Sequence, residues 1–394
     1  MTVESYIYDG LRTPFGRYGR ALAHIRPDDL AADVISSLLA RHPGLDPARV
    51  DDVVLGDANG AGEDNRNVAR MSALLAGLPT SVPGATVNRL CGSGLEAIVQ
   101  ASRAIEAGDA DIVIAGGVES MSRAPWILPK PDRGFPPDNQ TLYSSTLGWR
   151  MTNPKLPPQW TVSNGVTAEI LADRFAISRE EQDAFALRSH RLAAAADSAG
   201  AFTDELMTPA GSELVRDEGI RADTDLEKLA ALPPAFRSEG TVTAGNSSPL
   251  NDGAAALLIA NSAAASAGID GEPLARIVSR AVVGNDPDIF GIAPVEAANK
   301  ALARAGLRWQ DVDLVELNEA FAAQSLACLK SWPELDPQRV NIHGGAIAIG
   351  HPLGASGARI TLHLARELRR RGGGVGLAAL CIGTGQGIAM VIQA

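Results

Sequence analysis

The sequence predicts an α/β protein made of two similar halves with a loop-rich segment between them. Three observations predict it. Strand-like and helix-like stretches alternate at both ends of the chain. The pattern of the first end recurs at the second, and from about Met121 to Thr243 it gives way to stretches rich in Pro and Asn. At 394 residues and 45% hydrophobic composition, the chain has core material for two or three domains.

Taken in order, "ESYIYDG" reads as a strand, "PDDLAADVISSLLARH" as a helix with an acidic first turn, and "VDDVVLGDAN" as a strand. "NVARMSALLAGL" then reads as a helix, "ATVNRL" as a strand, "GSGLEAIVQASRAIEAGD" as a helix and "ADIVIAGGVES" as a buried strand. "RAPWILPKPDRGFPPDNQ" and "TNPKLPPQWTVSNG" read as long loops, which in a compact protein are usually functional or interfacial. "VTAEILADRFA" and "SREEQDAFALRSHRLAAAADSA" follow as helices, the second capped by Ser178. From Ala293, "APVEAANKALARAGLRWQDVDLVELNEA" echoes the stretch from Arg26; "RVNIHGGAIAIGHPLGASGARITLHLARELRRRGG" echoes "TVNRLCGSGLEAIVQASRAIEAGD", and "GVGLAALCIGTG" echoes "ADIVIAGGVES". The repeat puts the turn at Cys91 and the turn near His343 at matching places, so a site on the pseudo-two-fold axis draws on both halves.

A formal charge of −11 argues against a partner such as nucleic acid or an anionic membrane surface. Cys91, Cys328 and Cys381 lie far apart with no CxxC pair, which fits a reducing compartment better than a disulfide framework. "MTVESYIYDGLRTPFG" has acids and no apolar signal core, and no apolar run is long enough to span a bilayer, so a cytoplasmic protein is expected.

In "NRLCGSGLEA", Cys91 stands at a strand-to-helix turn, where unpaired helix N–H groups and the positive dipole end favour a thiolate. The small neighbours Gly92 and Gly94 let a carbonyl approach. Cys91 is therefore a candidate nucleophile; the alternative is a buried structural cysteine. In "GGAIAIGHPLGASGARI", His351 is a candidate base for that thiol, or else a histidine packed in a turn. "LAALCIGTGQG" ends a strand at Cys381 and continues into glycines whose N–H groups suit an oxyanion; it lacks the second spacing and the following helix of a dinucleotide fingerprint. A second thiol also leaves a redox pair or a Cys2His zinc site open. Cys328, on an apolar helical face, reads as core. In "LVELNEAFA", Asn318 orients a water or a carbonyl oxygen, or simply caps a helix.

Together, "NRLCGSGLEA", "GGVESMSRAP", "GTVTAGNSSPLNDGAAALL", "NEAFA", "GGAIAIGHPLGASGAR" and "CIGTGQG" resemble the thiolases, acyltransferases that make or cleave 3-ketoacyl-CoA thioesters, in order along essentially the whole chain. The resemblance implies two five-stranded sheets in a five-layer α-β-α-β-α fold plus a loop domain: residues 1–120 as the N-terminal half, 121–243 as the loop domain covering coenzyme A, 244–268 as a return segment and 269–394 as the C-terminal half. Carried over by motif, Cys91 is the acyl-accepting nucleophile, His351 activates it, and Cys381 exchanges a proton with the substrate α-carbon. One oxyanion hole would use His351 and a water held by Asn318, the other the N–H groups of Cys91 and Gly383. Coenzyme A and acetyl-CoA are then substrates rather than tightly bound cofactors, with no metal needed. Ser248 and, less directly, Arg221 would face coenzyme A, and Phe236 and Phe321 would border the pantetheine tunnel. For Arg221 the alternative is a solvated surface charge, and for the two aromatics ordinary core. A homodimer or homotetramer is implied.

The sequence departs from the family pattern at Ser163-Asn164 before Gly165, where Met-Gly is usual, at His343 and at Pro249. "GEDNRNVARM" and "STLGWRMTNPK" look closest to the thiolases that cleave 3-oxoadipyl-CoA. Medium-chain 3-ketoacyl-CoA and acetoacetyl-CoA stay open as substrates. The rival readings are a decarboxylating condensing enzyme of the same fold, which favours His where Cys381 stands, and a silent acyl-CoA-binding subunit, which would have lost a catalytic residue.

Overall fold

The structure is a computed structural model that describes residues 3–265 and 268–394. The N-terminal half contains β1 (Tyr6–Arg12), α1 (Pro27–Ala40), β2 (Asp52–Gly56), α2 (Val68–Leu75), β3 (Gly84–Val87), α3 (Ser93–Ala107) and β4 (Ile112–Ser120). After the helices α4 (Asn164–Arg174) and α5 (Arg179–Ser198), the chain returns as β5 (Asn251–Ala260). The remainder supplies β6 (Ala275–Gly284), α6 (Ala293–Ala305), β7 (Leu314–Leu317), α7 (Ala322–Lys330), α8 (Leu353–Arg370), β8 (Val375–Ile382) and β9 (Gln386–Gln393).

The first sheet runs β3-β2-β4-β5-β1 and the second β7-β8-β9-β6. The strand that would complete the second is reduced to a parallel bridge between Val315 and Val340, because Asn341 leaves the strand path with φ +47°. The two sheets are continuous: β1 and β6 pair antiparallel at Tyr6–Arg276 and Ile7–Ala275. Their central strands are buried on both faces, as β4 and β5 are along their whole length, which explains why they read as apolar runs without alternation.

Three cores separate the layers. Leu30, Val34, Ile35 and Leu38 of α1 pack on Val53, Leu55, Ile112 and Ile114, outside the first sheet. Ala297, Ala301 and Leu302 of α6 pack with Leu317, Leu377 and Val391, outside the second. Between the sheets, Leu95, Ile98 and Ile105 of α3 share one cluster with Ile360, Leu364 and Leu368 of α8 and with Leu257, Ile259, Leu380 and Met390 from both sheets. The layering is therefore helix, sheet, two central helices, sheet, helix.

The central helices touch through glycine. A Cβ on Gly94 would lie 2.5 Å from the Gly354 carbonyl oxygen, and one on Gly357 would lie 2.3 Å from the Leu95 nitrogen. The turn at Cys91 opens α3 and that at His351 opens α8, so this contact holds the two turns together.

In the central segment one helix boundary differs from the sequence expectation. α4 begins at Asn164, two residues before the stretch that reads as helical, so Asn164 and Gly165 sit in its first turn. α5 carries the expected cap: the Ser178 hydroxyl accepts from the Glu181 N–H, while the Glu181 carboxylate accepts from the Ser178 N–H.

Candidate active site

Cys91 occupies a short turn, Leu90–Gly92, ahead of α3. Leu90 adopts φ +47°, and the Ser93 hydroxyl closes the turn by donating to the Leu90 carbonyl at 2.7 Å while accepting from the Arg89 N–H at 2.9 Å. A Cβ on Gly92 would lie 2.7 Å from Ile382 Cδ1, so the turn packs closely onto the end of β8. The helix end does not produce a thiolate here. Burial pushes the Cys91 thiol up to about 11 against the Gly383 N–H that bonds its sulfur, because desolvation exceeds what the turn's N–H groups return.

Cys91 and Gly383 line one cavity of about 140 Å³, together with Asn59, Glu119, Arg150 and Asn164. A Cβ on Gly383 would stand 3.6 Å from Leu90 and 4.0 Å from the Asn164 side-chain oxygen. Cys381 sits fully buried two residues before Gly383, against Phe290 and Ala320, with Phe321 packed on that cluster. Burial and then the neighbouring Cys91 thiol push Cys381 well above the usual thiol range. All three cysteines are free, and Cys328 is core: fully buried, its thiol donates to the Gly291 carbonyl at 3.4 Å. Among the described residues, no three His, Cys, Asp or Glu side chains gather to hold a metal ion.

His351 lies in the turn before α8. Gly350 holds φ +121°, and a Cβ there would meet the Asn251 amide at 2.7 Å; that amide oxygen accepts the His351 N–H at 2.9 Å. The imidazole Nδ1 is 2.6 Å from the Ser356 hydroxyl, which donates its single hydrogen to the Pro352 carbonyl at 2.8 Å. The hydroxyl must therefore accept from Nδ1–H, which leaves Nε2 with its lone pair. Nε2 faces the Asn318 amide nitrogen at 3.4 Å, and the Asn318 Oδ1 is buried without a protein partner. Burial, then the Arg359 charge, lower the imidazole to about 4, so it is neutral at pH 7. Asn318 caps no helix: α7 starts at Ala322 with Phe321 as its N-cap residue.

Of the other expected residues, Ser248, Phe321 and Phe236 lie close together. The Ser248 N–H donates to the Ala320 carbonyl at 3.0 Å, and Ser247 bridges Phe321. Phe321 meets Phe236 edge-on with centroids 6.0 Å apart, and Phe236 lies over Gly165 where a Cβ would be 2.1 Å from its ring. Arg221 is exposed and stands apart from the Cys91 cavity; its N–H donates to His190 Nδ1 at 3.2 Å beside a small recess shared with Ser247 and Pro249.

Several residues of the site were not expected from the sequence. The Glu119 carboxylate accepts from the Ala58 N–H at 3.0 Å and the Gly354 N–H at 2.9 Å, tying the end of β2 to the start of α8. Burial, and then the nearby Asp57, raise it well above the carboxylate range. Buried Glu319 accepts from the Ser189 hydroxyl at 2.6 Å, Asn341 at 2.8 Å and the Ile347 N–H at 3.2 Å, fixing the loop that leads to His351. Asn59 and Asn164 become wall residues only through the packing of distant segments. Glu119 and Arg150 do fall inside the quoted stretches "GGVES" and "STLGWRMTNPK".

Known proteins resemble the chain over essentially its whole length. The family profile described as "Thiolase, N-terminal domain" matches residues 5–263, and "Thiolase, C-terminal domain" matches residues 271–394. The chain is 51% identical over 401 residues to "3-oxoadipyl-CoA/3-oxo-5,6-dehydrosuberyl-CoA thiolase" of Escherichia coli, covering 99% of each chain. It is 50% identical over 399 residues to "Beta-ketoadipyl-CoA thiolase" of Acinetobacter baylyi, again covering 99% of each. The crystal structure of human mitochondrial 3-ketoacyl-CoA thiolase superimposes with a TM-score of 0.93 at 42% identity, over 100% of this chain and 99% of that one.

Proposed function

The chain belongs to the thiolase family, and on that footing we propose that it cleaves 3-oxoadipyl-CoA with coenzyme A through an acyl-enzyme on Cys91. The observation that carries this reading is Cys91 itself: a thiol opening on a cavity of about 140 Å³, bonded by the Gly383 N–H, with a second thiol beside it. The chain's relatives named for 3-oxoadipyl-CoA or beta-ketoadipyl-CoA supply the substrate.

In this reading Cys91 Sγ attacks the C3 ketone while its proton passes to the lone pair on His351 Nε2. Burial holds both groups toward their neutral forms, the thiol up at about 11 and the imidazole down at about 4, so proton transfer accompanies carbon–sulfur bond formation. Once protonated, Nε2–H becomes a donor toward the thioester oxygen. The unpartnered Asn318 Oδ1 suits a water that completes this first oxyanion site. The C2–C3 bond then breaks, its electron pair becomes the enolate of acetyl-CoA, and the Cys381 thiol delivers a proton to C2. The Cys91 and Gly383 N–H groups form the second oxyanion site. The coenzyme A thiol finally gives its proton to the Cys381 thiolate and takes the acyl group from Cys91, whose departing sulfur regains its proton from His351 Nε2, and succinyl-CoA leaves. Coenzyme A would run past Ser248, Phe321 and Phe236, with Arg221 at its outer end.

Mass spectrometry after mixing with acetyl-CoA tests the roles. Wild type and Cys381→Ser gain an acetyl group on Cys91, Cys91→Ser does not, and Cys381→Ser fails at carbon–carbon cleavage. An adduct of wild-type size on Cys91→Ser overturns the assignment. A cytoplasmic location and a dimeric or tetrameric assembly belong to the same proposal; sedimentation of the purified protein checks the assembly. No helix among the described residues is long and apolar enough to cross a membrane.

A further inference from the structure

We propose that Arg150 receives the distal carboxylate of a dicarboxylic 3-oxoacyl chain, making the cavity beside Cys91 selective for such chains over those ending in a methyl group. The inference rests on the 3-oxoadipyl-CoA reading above and names the residue that would enforce it.

Among the described residues lining the Cys91 cavity, Arg150 is the one cation. Its guanidinium makes a single long hydrogen bond, from Nη1 to the Ser145 carbonyl at 3.5 Å, and pairs with no carboxylate among the described residues. Most of its five N–H donors are thus uncommitted, in a planar fork that matches a carboxylate. The loop holding it is anchored. The buried Ser145 hydroxyl donates to the Pro125 carbonyl at 2.7 Å, and the Ser145 carbonyl also accepts from Asn59 Nδ2 at 3.1 Å. Next to Arg150, the Trp149 indole donates to the Val162 carbonyl at 3.2 Å. The other ionisable group on the wall besides Cys91 is Glu119, which burial pushes toward its uncharged form and which the Ala58 and Gly354 N–H groups hold in place.

The chemistry of the chain fits this placement. When C3 of 3-oxoadipyl-CoA is bonded to Cys91, the distal carboxylate lies three carbons further along, a short reach suited to a small cavity. Asn164, on the same wall with its side-chain oxygen near Gly383, adds an amide to the lining of the pocket. A chain of equal length ending in a methyl group strips water from the guanidinium without replacing it, and a site built around a hydrogen-bonding group discriminates strongly against a substrate that lacks it.

The test is the ratio of kcat/KM for 3-oxoadipyl-CoA to that for 3-oxohexanoyl-CoA, which has the same carbon count without the carboxylate. Wild type is expected to favour the diacid by about 100-fold or more. Arg150→Leu should bring the ratio toward one, chiefly by loss on the diacid, and Arg150→Lys, which keeps the charge but not the fork, should retain part of it. An unchanged ratio in Arg150→Leu, or equal losses on both substrates, overturns the role of Arg150 and leaves the substrate reading standing. A wild-type ratio near one overturns both the substrate reading and this proposal, while cleavage of 3-oxohexanoyl-CoA still reports a working thiolase.

Discussion

At the scale of single residues, burial sets the chemistry more than local helix electrostatics does. His351 is neutral down to about pH 4 and Cys91 stays a thiol up to about pH 11. The acylation half-reaction, followed in a single turnover without coenzyme A, should therefore be nearly flat between about pH 5 and about pH 10. An acid limb with a midpoint near 6.5 would show that His351 titrates as an exposed imidazole does. Removing it in His351→Ala should slow acylation by about 10²- to 10⁴-fold, the usual worth of a general base. A second residue-scale prediction concerns Asp57, raised to about 8 by burial and the adjacent Asp64, itself raised by burial to about 6. A carboxyl whose folded value lies above its unfolded one stabilises the fold fully below about pH 4 and loses that contribution as pH rises toward 8. His351 and His190, the latter also lowered to about 4 by burial, act in the other direction: their contribution is lost as pH falls below 6.5. Thermal stability should thus peak near pH 6.5 and fall toward pH 8. Asp57→Asn, which keeps an oxygen to accept the Asn59 N–H, should remove the Asp57 share of the change between about pH 4 and about pH 8 and so make the fall above pH 6.5 shallower. An alkaline slope equal to wild type would refute the role of Asp57.

At the scale of elements, the site depends on two helices that cross almost backbone to backbone. Gly94 and Gly357 have no room for a methyl group, and the atoms they would strike are backbone, which cannot rotate away. Gly357→Ala should therefore cost about 2 kcal/mol or more in urea unfolding. It should also slow acylation, because separating α3 from α8 separates the turn of Cys91 from that of His351. Loss of stability with wild-type acylation would show that the turns are held elsewhere, for instance by the Glu119 bridge to Gly354. The helices themselves were legible because their patterns are local: apolar spacing, an acidic first turn, the Ser178 cap. The strand beside β7 was not, since "RVNIHGG" repeats the apolar spacing of "TVNRLCG" while the chain turns away at Asn341, whose side chain bonds both Leu317 and Glu319. That choice depends on a buried carboxylate supplied from another segment.

For the whole molecule, the duplication was the most legible feature, because a two-fold repeat writes the same spacing twice and needs no knowledge of contacts. It also pointed to a site drawing on both halves, and the motifs at Cys91, His351 and Cys381 stood out through their glycines. The wall of the cavity was less legible: Asn59, Arg150 and Asn164 meet only because the central segment folds back over the ends of β2 and α3, and a contact across 100 residues leaves no period in the sequence. The same architecture makes a mechanical prediction. The core between the sheets takes α3 from one half and α8 from the other, each packed against strands of both sheets, and β1 continues the first sheet into β6. Neither half can bury its inner face alone, since removing either exposes Leu257 and Ile259 or Leu380 and Met390 to water at roughly 25 cal/mol per Å² of apolar surface. Calorimetry should therefore show one unfolding transition, with a calorimetric enthalpy close to the van 't Hoff value and coincident loss of acylation. Residues 271–394 produced alone should lack a cooperative transition. Two separated transitions, or a folded C-terminal fragment, would mean that the halves are independent domains meeting at an interface and that the central helices belong to two cores rather than one.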